Sequence, residues 1–217
     1  MKNLLNKEIK LAASPLSWLF LVFGLMALIP GYPILVCAFF ICFGVFQSFQ
    51  SGRENNDILY TVLLPVRKTD AVKAKYAFTA LIQMLGFVIA AVTTLLRMLL
   101  LPDAVPYATN PMMNANQAFL AYMLLVFAAF NVVFLGGFFK TAYKFGKPFV
   151  LFIIMSFVMV GAAEVLHHIP GLTFLNAPAS LTDPVMWGIL GAAAVIYLIA
   201  TLLSCKVAMK RFERVDM

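Results

Sequence analysis

Residues 76–101 read YAFTALIQMLGFVIAAVTTLLRMLLL and contain a single charged side chain, that of Arg97. A helix needs about 20 apolar residues to cross the hydrocarbon core of a bilayer, so this stretch alone predicts a membrane span. Hydrophobic residues make up 63% of the 217-residue chain and charged residues only 12%, whereas soluble domains contain about 45–50% and about 25%. The composition indicates an integral membrane protein and excludes a secreted disulfide scaffold, a disordered chain and a cytosolic enzyme.

Apolar stretches on both sides of this one extend the prediction to six transmembrane helices. The predicted spans are 14–30, 33–49, 76–101, 118–139, 148–166 and 184–204. Prolines and a glycine at 30–33 separate the first two spans, which at about 25 Å each are short for a hydrocarbon core of about 30 Å. We therefore expect either a hairpin that thins the bilayer or a re-entrant hairpin. The predicted fold is all-α, with one transmembrane domain over residues 1–217.

The first thirteen residues predict a helix on the membrane surface rather than in it. Leu5 and Ile9 are four positions apart, as on one face of a helix, and lysines lie among the apolar residues. These lysines are Lys2, Lys7 and Lys10. A signal peptide also begins with a basic and then an apolar stretch, but no clear A-x-A cleavage site follows here. Segment 1–13 is therefore predicted to be an amphipathic interfacial helix.

The basic residues alternate between the two sides of the predicted spans. Of the 16 Lys and Arg residues, 15 lie in four segments, namely 1–13, 51–75, 140–147 and 205–217, and only Arg97 lies elsewhere. The positive-inside rule then places both termini in the cytoplasm, with 205–217 as a cytoplasmic tail. The net charge of +7 is thus a topology signal, and it gives no reason to expect a nucleic acid as partner.

The longest cytoplasmic segment is predicted to be 51–75. Apolar residues recur at helical spacing after the polar run 52–57, at Ile58, Leu59, Val62 and Leu63. Pro65 ends this helix, and Thr69 can cap the next one. An exposed apolar face requires either the lipid surface or a protein partner. The segment is therefore either a loop lying on the membrane or a docking helix for a cytoplasmic protein.

At this point the chain resembles a known family. The stretch LLPVRKTDAVKAKYAF (63–78) carries the pattern Leu64-Pro65-Arg67-Val72-Lys75-Tyr76, and Gly52-Arg53-Glu54-Asn55-Asn56-Asp57 forms a polar lead-in to it. Together with the N-terminal helix and the six spans, these motifs resemble the small permease subunits of ABC-2 type transporters. The short bacterial branch of that family includes exporters of phenol-soluble modulin toxins. The resemblance implies a type V exporter-like architecture in a bacterial cytoplasmic membrane.

The resemblance also implies partners and a site. In that family the helix between spans 2 and 3 is the coupling helix, which sits in a groove of the ATPase. Carried over to this sequence, the docking residues are Arg53, Glu54, Asp57, Ile58, Leu59, Val62 and Leu63. Two ATPase copies, a second permease copy in a homodimer, membrane lipid and a hydrophobic or amphipathic peptide substrate follow from the resemblance. ATP and Mg would bind to the ATPase and no cofactor to this chain.

The sequence itself contains no P-loop. The motif G-x-x-x-x-G-K-[ST] is the usual phosphate cradle. Gly146-Lys147 is followed by Pro148, and the position that needs the first glycine is Thr141. The chain is therefore not expected to be an enzyme by itself.

Four polar residues are predicted near the outer ends of spans 3 and 5. Arg97 can snorkel to the outer surface, pair with Glu164 or Asp103, or contact another subunit or the substrate. Glu164 lies three and four positions before His167 and His168, a spacing that could hold a metal or act as an acid–base site. No second cluster completes either site. We expect an outer gate or simple capping of the span, with no metal and no catalytic residue.

A secondary transporter or channel without an ATPase is the alternative function. Such proteins usually carry ionisable residues near the membrane midplane. Here only Arg97 and Glu164 lie within predicted spans, and both are near the outer end. The favoured prediction is a permease subunit that exports its substrate by alternating access.

Overall fold

The computed structural model describes residues 2–101, 110–177 and 182–215, and within these ranges it contains helices and no strand. Helix α1 is Lys2–Lys7 and continues as a π-helical segment, Glu8–Ala12; α2 is Pro15–Leu19 and continues as a 3₁₀ helix, Phe20–Leu28. Next come α3 (Val36–Glu54), α4 (Asp57–Leu63) and α5 (Lys68–Leu100). Helix α6 is Gln117–Ala129, with a π-helical continuation, Phe130–Leu135, and a last turn, Gly136–Phe138. Helix α7 (Gly146–Leu166), a 3₁₀ turn (Thr173–Asn176) and α8 (Pro184–Glu213) follow.

Four of these helices are long and apolar enough to cross a membrane. They are α5, α6 with its continuations, α7 and α8; a fifth span is counted if Asn3–Ala12 and Pro15–Leu28, which meet at 94°, form one broken span. The protein is thus an all-helical, multi-pass membrane protein. Helix α3 lies where the second span was predicted, but its last turns are polar. The count of six spans and the surface position of α1 stay predictions.

Helices α5 and α8 extend furthest beyond the predicted spans. Helix α5 begins at Lys68, eight residues before the predicted span, and Asp70 lies in its first turn. Thr69, predicted to cap this helix, lies inside the first turn, and Arg67 is the N-cap residue. Helix α8 continues to Glu213 through most of the segment predicted as a tail. Lys and Arg are good helix formers, so a change from apolar to basic sequence need not end a helix.

Helix α6 is the central element of the bundle. Its apolar window is 78% buried, whereas that of α8 is 17% buried. Phenylalanines of α6 pack against those of α3 and α7. Phe46 of α3 stacks on Phe149 of α7 with ring centroids 3.6 Å apart, and Phe134 of α6 meets both rings edge-on. Such aromatic pairs stabilise a core beyond their buried area. Helices α5, α7 and α8 each leave large apolar side chains exposed, as lipid-facing helices do.

Glycine allows α2 and α5 to approach closely. A Cβ at Gly24 would lie 2.8 Å from Cγ2 of Ile89, and a Cβ at Gly86 would lie 2.6 Å from Cδ1 of Ile41 on α3. Small residues at such positions let helix backbones approach each other in membranes. Helix α5 is therefore packed directly against both α2 and α3.

Candidate functional site

The four basic segments of the sequence meet at one end of the bundle. Lys7 contacts Asp57, Arg53 contacts Tyr143, and the Lys68 Nζ donates to the carbonyl oxygen of Val215 at 2.7 Å. We call this the basic end. The opposite end, where Arg97, Asn114 and Asn176 meet, is called the amide end.

Helix α4 at the basic end is formed by local signals. Asn56 takes the left-handed conformation (φ 53) after α3, which Asn tolerates better than most residues, and the helix ends before Pro65. The predicted short helix with a proline break is thus present. Its inner side includes Ile58 and Val62, which pack against the core. Leu59, Tyr60 and Leu63 are 47%, 67% and 75% exposed, so α4 presents an apolar outer face.

Four charged side chains form ion pairs on the inner side of α4 and hold this helix in place. The Lys75 Nζ of α5 lies 2.6 Å from Glu8 Oε2 and 2.7 Å from Asp57 Oδ2. The Lys7 Nζ contacts Glu8 Oε1 at 3.0 Å and also Asp57 Oδ1. The side chains of Lys75 and Glu8 are only 7% and 3% exposed. This group, the ionic cluster, has two positive and two negative charges and joins α1, α4 and α5.

The cluster keeps Asp57 ionised. Burial would raise the pKa of the Asp57 carboxyl, but Lys75 and Lys7 more than offset this and hold it below its ordinary value of 3.8. The Lys7 Nζ also donates to Thr61 Oγ1 at 2.7 Å, and that hydroxyl donates to the Asp57 carbonyl at 2.7 Å. Removing one member of a buried ion pair leaves its partner uncompensated and costs about 3–5 kcal/mol. Asp57, predicted as a docking residue, therefore faces inward and anchors α4.

Arg53 and Glu54, also predicted as docking residues, lie where α3 ends. The Arg53 guanidinium stacks over the rings of Tyr143 and Phe145, at 4.5 and 4.9 Å from their centroids. Glu54 accepts a hydrogen bond from Gln50 at 3.3 Å. Arg53 thus ties the start of the α3–α4 turn to the connection between α6 and α7.

A cavity of about 350 Å³ opens beside Arg53. Its lining includes Asn56, Ile58 and Leu59 on one side, and Thr141, Tyr143 and Val215 on the other. The outer face of α4 is therefore continuous with a depression that three separate basic segments form.

At the amide end the structure holds segment 110–116 mainly through neutral groups. Arg97 is 8% exposed and its Nη2 donates to Asn114 Oδ1 at 2.9 Å. The backbone N–H of Asn114 donates to Asn176 Oδ1 at 2.6 Å, and Asn176 Nδ2 donates to the Met112 carbonyl at 3.4 Å. Arg97 is thus buried and bonded to an amide; Asp103, its other predicted partner, lies outside the described residues.

Glu164 and His167 hold the same segment from α7. Glu164 Oε2 accepts the Met113 N–H at 2.9 Å, and His167 Nε2 lies 3.3 Å from the Pro111 carbonyl oxygen. Helix α7 ends at Leu166, so the predicted helical register of Glu164 and His168 is lost, although the two histidine rings lie 4.2 Å apart. Within the described residues, no group of three His, Cys, Asp or Glu side chains could hold a metal. Arg97, Glu164 and His167 therefore bond to one segment, and the ring of His168 lies against that of His167.

The sequence analysis missed a polar network inside the bundle. Gln83 and Asn131 exchange two hydrogen bonds of 3.1 Å, and Tyr197 donates to Gln83 Oε1 at 3.0 Å. Asn131 lies in the π-helical continuation of α6, and its carbonyl oxygen accepts from Ser204 Oγ at 2.7 Å. A π-helical segment frees carbonyls from the regular ladder, and such segments often mark functional positions. An amide within an apolar span is itself a signal of such a network.

Comparison with known protein families gives a match over nearly the whole chain. A family model described as "ABC-2 family transporter protein" matches residues 3–213. No curated protein and no solved structure matches the chain. Members of the matching family are membrane components of transporters and are not themselves catalytic. With its multi-pass helical fold and the family match over residues 3–213, the chain belongs to the ABC-2 family of transporters.

Proposed function

We propose that this chain is the permease subunit of an ATP-driven exporter in a bacterial cytoplasmic membrane. Two copies form the transport path, each with six spans that include α2 and α3 and with both termini in the cytoplasm. A separate ATPase, which binds ATP and Mg, docks at each basic end. The substrate is a hydrophobic or amphipathic peptide of the phenol-soluble modulin kind, a class suggested by the sequence resemblance.

The observation that carries this proposal is the outer face of α4. Leu59, Tyr60 and Leu63 are exposed on a helix that is short and lies outside the long apolar helices. A large exposed apolar face on such an element marks an interaction site. The ionic cluster behind α4 makes this face rigid, so that a partner that moves it moves the bundle as well.

Helix α5 is the element that would carry this movement across the membrane. Four residues separate it from α4, and the ion pair of Lys75 and Asp57 holds the two helices together. It contains 33 residues, about 50 Å at 1.5 Å per residue. Near its far end Arg97 bonds to Asn114. Closure of the two ATPases would therefore move α4, then α5, and release segment 110–116 at the amide end.

We also propose that Arg97, Glu164 and His167 form an outer gate. Each of them bonds to a residue of segment 110–116. Opening the amide end would require these bonds to break together. In an alternating-access cycle, this arrangement corresponds to a closed outer side.

The test is to purify the tagged protein in mild detergent and identify its stoichiometric partners. We expect an ATPase with a P-loop, and we expect L59D/L63D to lose it. The matched control is Leu11→Asp, which changes a leucine that is 79% exposed at the same end but outside α4. Peptide-stimulated ATP hydrolysis in proteoliposomes then tests the substrate class. A chain that purifies alone and conducts ions or protons would instead be a channel or secondary transporter.

A further inference from the structure

Both histidines of the chain lie where α7 ends at the amide end. His167 is the C-cap residue of this helix and is only 5% exposed, whereas the side chain of His168 is exposed. Histidine is the side chain whose charge ordinarily changes between pH 5 and 8. A buried histidine that bonds to segment 110–116 can therefore make the proposed outer gate sensitive to protons.

The contact of His167 with this segment fixes the position of the first proton on its ring. The Nε2 atom lies 3.3 Å from the Pro111 carbonyl oxygen, and a carbonyl oxygen only accepts hydrogen bonds. In the neutral ring the proton is therefore on Nε2, and Nδ1 is an acceptor. Nδ1 is buried and has no hydrogen-bond partner among the described residues. A second proton, added to Nδ1, would make the ring an imidazolium and strengthen the bond from Nε2 to Pro111.

Glu164 and the end of α7 both favour a positive charge on this ring. Glu164 Oε2 accepts the Met113 N–H at 2.9 Å, whereas Oε1 is buried without a partner in the described part of the chain. Residues three positions apart on a helix are neighbours, and the backbone of His167 is still helical. The carbonyl groups at a helix C-terminus also attract cations. Two buried acceptors on one turn are thus the arrangement that one added proton stabilises.

The other charges at the amide end oppose this proton only in part. Burial disfavours a charged ring, and so does the positive charge of Arg97, which bonds to segment 110–116 from α5. Among the described residues of this end, His168 is exposed and the Asp183 carboxylate caps α8. Segment 110–116 and the turn Thr173–Asn176 contain no titratable side chain. The carboxylate and the helix end adjoin the ring on its own helix, and we take them to be the stronger influence.

We propose that His167 is a proton-binding site, and that the bound proton holds segment 110–116 against α7. This inference rests on the proposed function, because it names a regulator of the proposed outer gate. Opening would separate Nε2 from Pro111 and expose the ring to water, so the closed state binds the proton more tightly than the open state. The added stability of the closed state is therefore complete at low pH, and it is lost as the pH rises through the value at which the closed state releases its proton. An acidic outer side would slow opening.

The test uses the full chain in detergent and does not require an ATPase. Hydrogen exchange of the Met113 and Asn114 amides, divided by the intrinsic rate at each pH, reports the opening of the segment. As the pH falls from about 8 to about 5.5, protection in the parent protein should increase by roughly tenfold. His167→Gln keeps a side-chain N–H for Pro111 but cannot titrate in this range, so its protection should stay constant.

His168→Gln is the matched control, because it leaves His167 as the one histidine of the chain. It should show the same rise in protection as the parent protein. If His167→Gln keeps the rise, the proposal is wrong. A rise that disappears in His168→Gln but persists in His167→Gln would assign the proton to the exposed ring and would also overturn it.

Glu164→Gln tests the role of the carboxylate. The change keeps an acceptor for the Met113 N–H but removes the negative charge, so the rise in protection should move to a lower pH by about 1 unit. An unchanged midpoint would contradict the proposed site. Circular dichroism and elution by size exclusion show whether each variant keeps the fold of the parent protein.

Nitrogen NMR of the histidine-labelled parent protein provides a measurement that needs no change at the site. At pH about 8 the His167 ring should carry its proton on Nε2, and its imidazolium form should appear together with the protection of Met113. His168→Gln assigns the two rings. A proton on Nδ1 at high pH, or a ring that stays neutral while protection rises, would overturn the proposal. If the chain purifies without an ATPase, the proposed function fails, but the exchange and NMR results still decide whether His167 binds the proton.

Discussion

The two ends of the bundle hold their connecting segments with different chemistry. At the basic end, four full charges pair with one another, and each finds partners of opposite sign. At the amide end, asparagine side chains and backbone groups dominate, with Arg97 and Glu164 each bonded to a neutral group. The basic end is thus a closed electrostatic unit, whereas the amide end depends on several separate hydrogen bonds.

The amide end also contains buried polar atoms that lack a hydrogen-bond partner. Among the described residues, Glu164 Oε1 and His167 Nδ1 are buried at the amide end without a hydrogen-bond partner. Buried polar atoms without partners are rare in native proteins and call for an explanation. A neutral hydrogen bond contributes about 0.5–1.5 kcal/mol, and a broken buried ion pair costs about 3–5 kcal/mol. The contacts at the amide end are therefore individually weaker than those of the ionic cluster, as the proposed outer gate requires.

The largest expected effect on stability comes from removing the charge of Lys75 at the basic end. The Lys75→Met change leaves Glu8 and Asp57 to share Lys7, so the buried cluster keeps one uncompensated negative charge. This should lower the free energy of unfolding by about 3–5 kcal/mol. The control, Lys73→Met, lies on the same helix, but its side chain is 45% exposed and pairs only with Asp70; it should cost less than about 1 kcal/mol. Denaturant unfolding in detergent measures both, and equal losses would contradict the comparison.

The next largest effect is a pH dependence of stability that comes from Asp57 at the basic end. Burial acts to raise the pKa of Asp57, but Lys75 and Lys7 lower it below 3.8. Because the folded pKa is the lower one, the stabilisation is complete above the unfolded pKa and is lost as pH falls through the folded value. Parent protein should therefore lose stability below about pH 4, and Asp57→Asn should lack this component. Acid titration of thermal stability in detergent measures it; identical slopes in the two proteins would exclude the mechanism.

A smaller effect is expected at the amide end from Asn176→Ala. The change removes the acceptor for the Asn114 N–H and the donor to the Met112 carbonyl, which should cost about 1–3 kcal/mol locally. Hydrogen exchange of amides 112–114 should accelerate by roughly tenfold or more, while exchange in α4 stays unchanged. A matching acceleration in α4 would show that the two ends are not independent in the resting state.

Local signals in the sequence were sufficient for α4, since a polar run, a helical apolar spacing and Pro65 all lie within a few residues. The ionic cluster could not be predicted, because it joins positions 7, 8, 57 and 75 from three separate helices, and the lysines were read only as a topology signal. Arg97 and Glu164 were recognised as unusual, but the groups of segment 110–116 that they bond to are an amide side chain and a backbone N–H, which carry no charge pattern. Gln83 and Asn131 did have a signal, because each is an isolated amide within an apolar span.

The smallest expected effect sharpens the comparison within the basic end itself. Arg53 stacks on two aromatic rings at the surface, outside the ionic cluster, and exposed contacts of this kind contribute about 0.5–1 kcal/mol. Arg53→Lys keeps the charge but loses the planar group, so stability should fall by no more than about 1 kcal/mol. The hydrogen exchange of residues 141–145 should rise, because their tie to α3 weakens. If Arg53→Lys instead destabilises the protein as much as Lys75→Met, the rigid unit at the basic end includes the α6–α7 connection, and a partner docked on α4 would then move that connection as well.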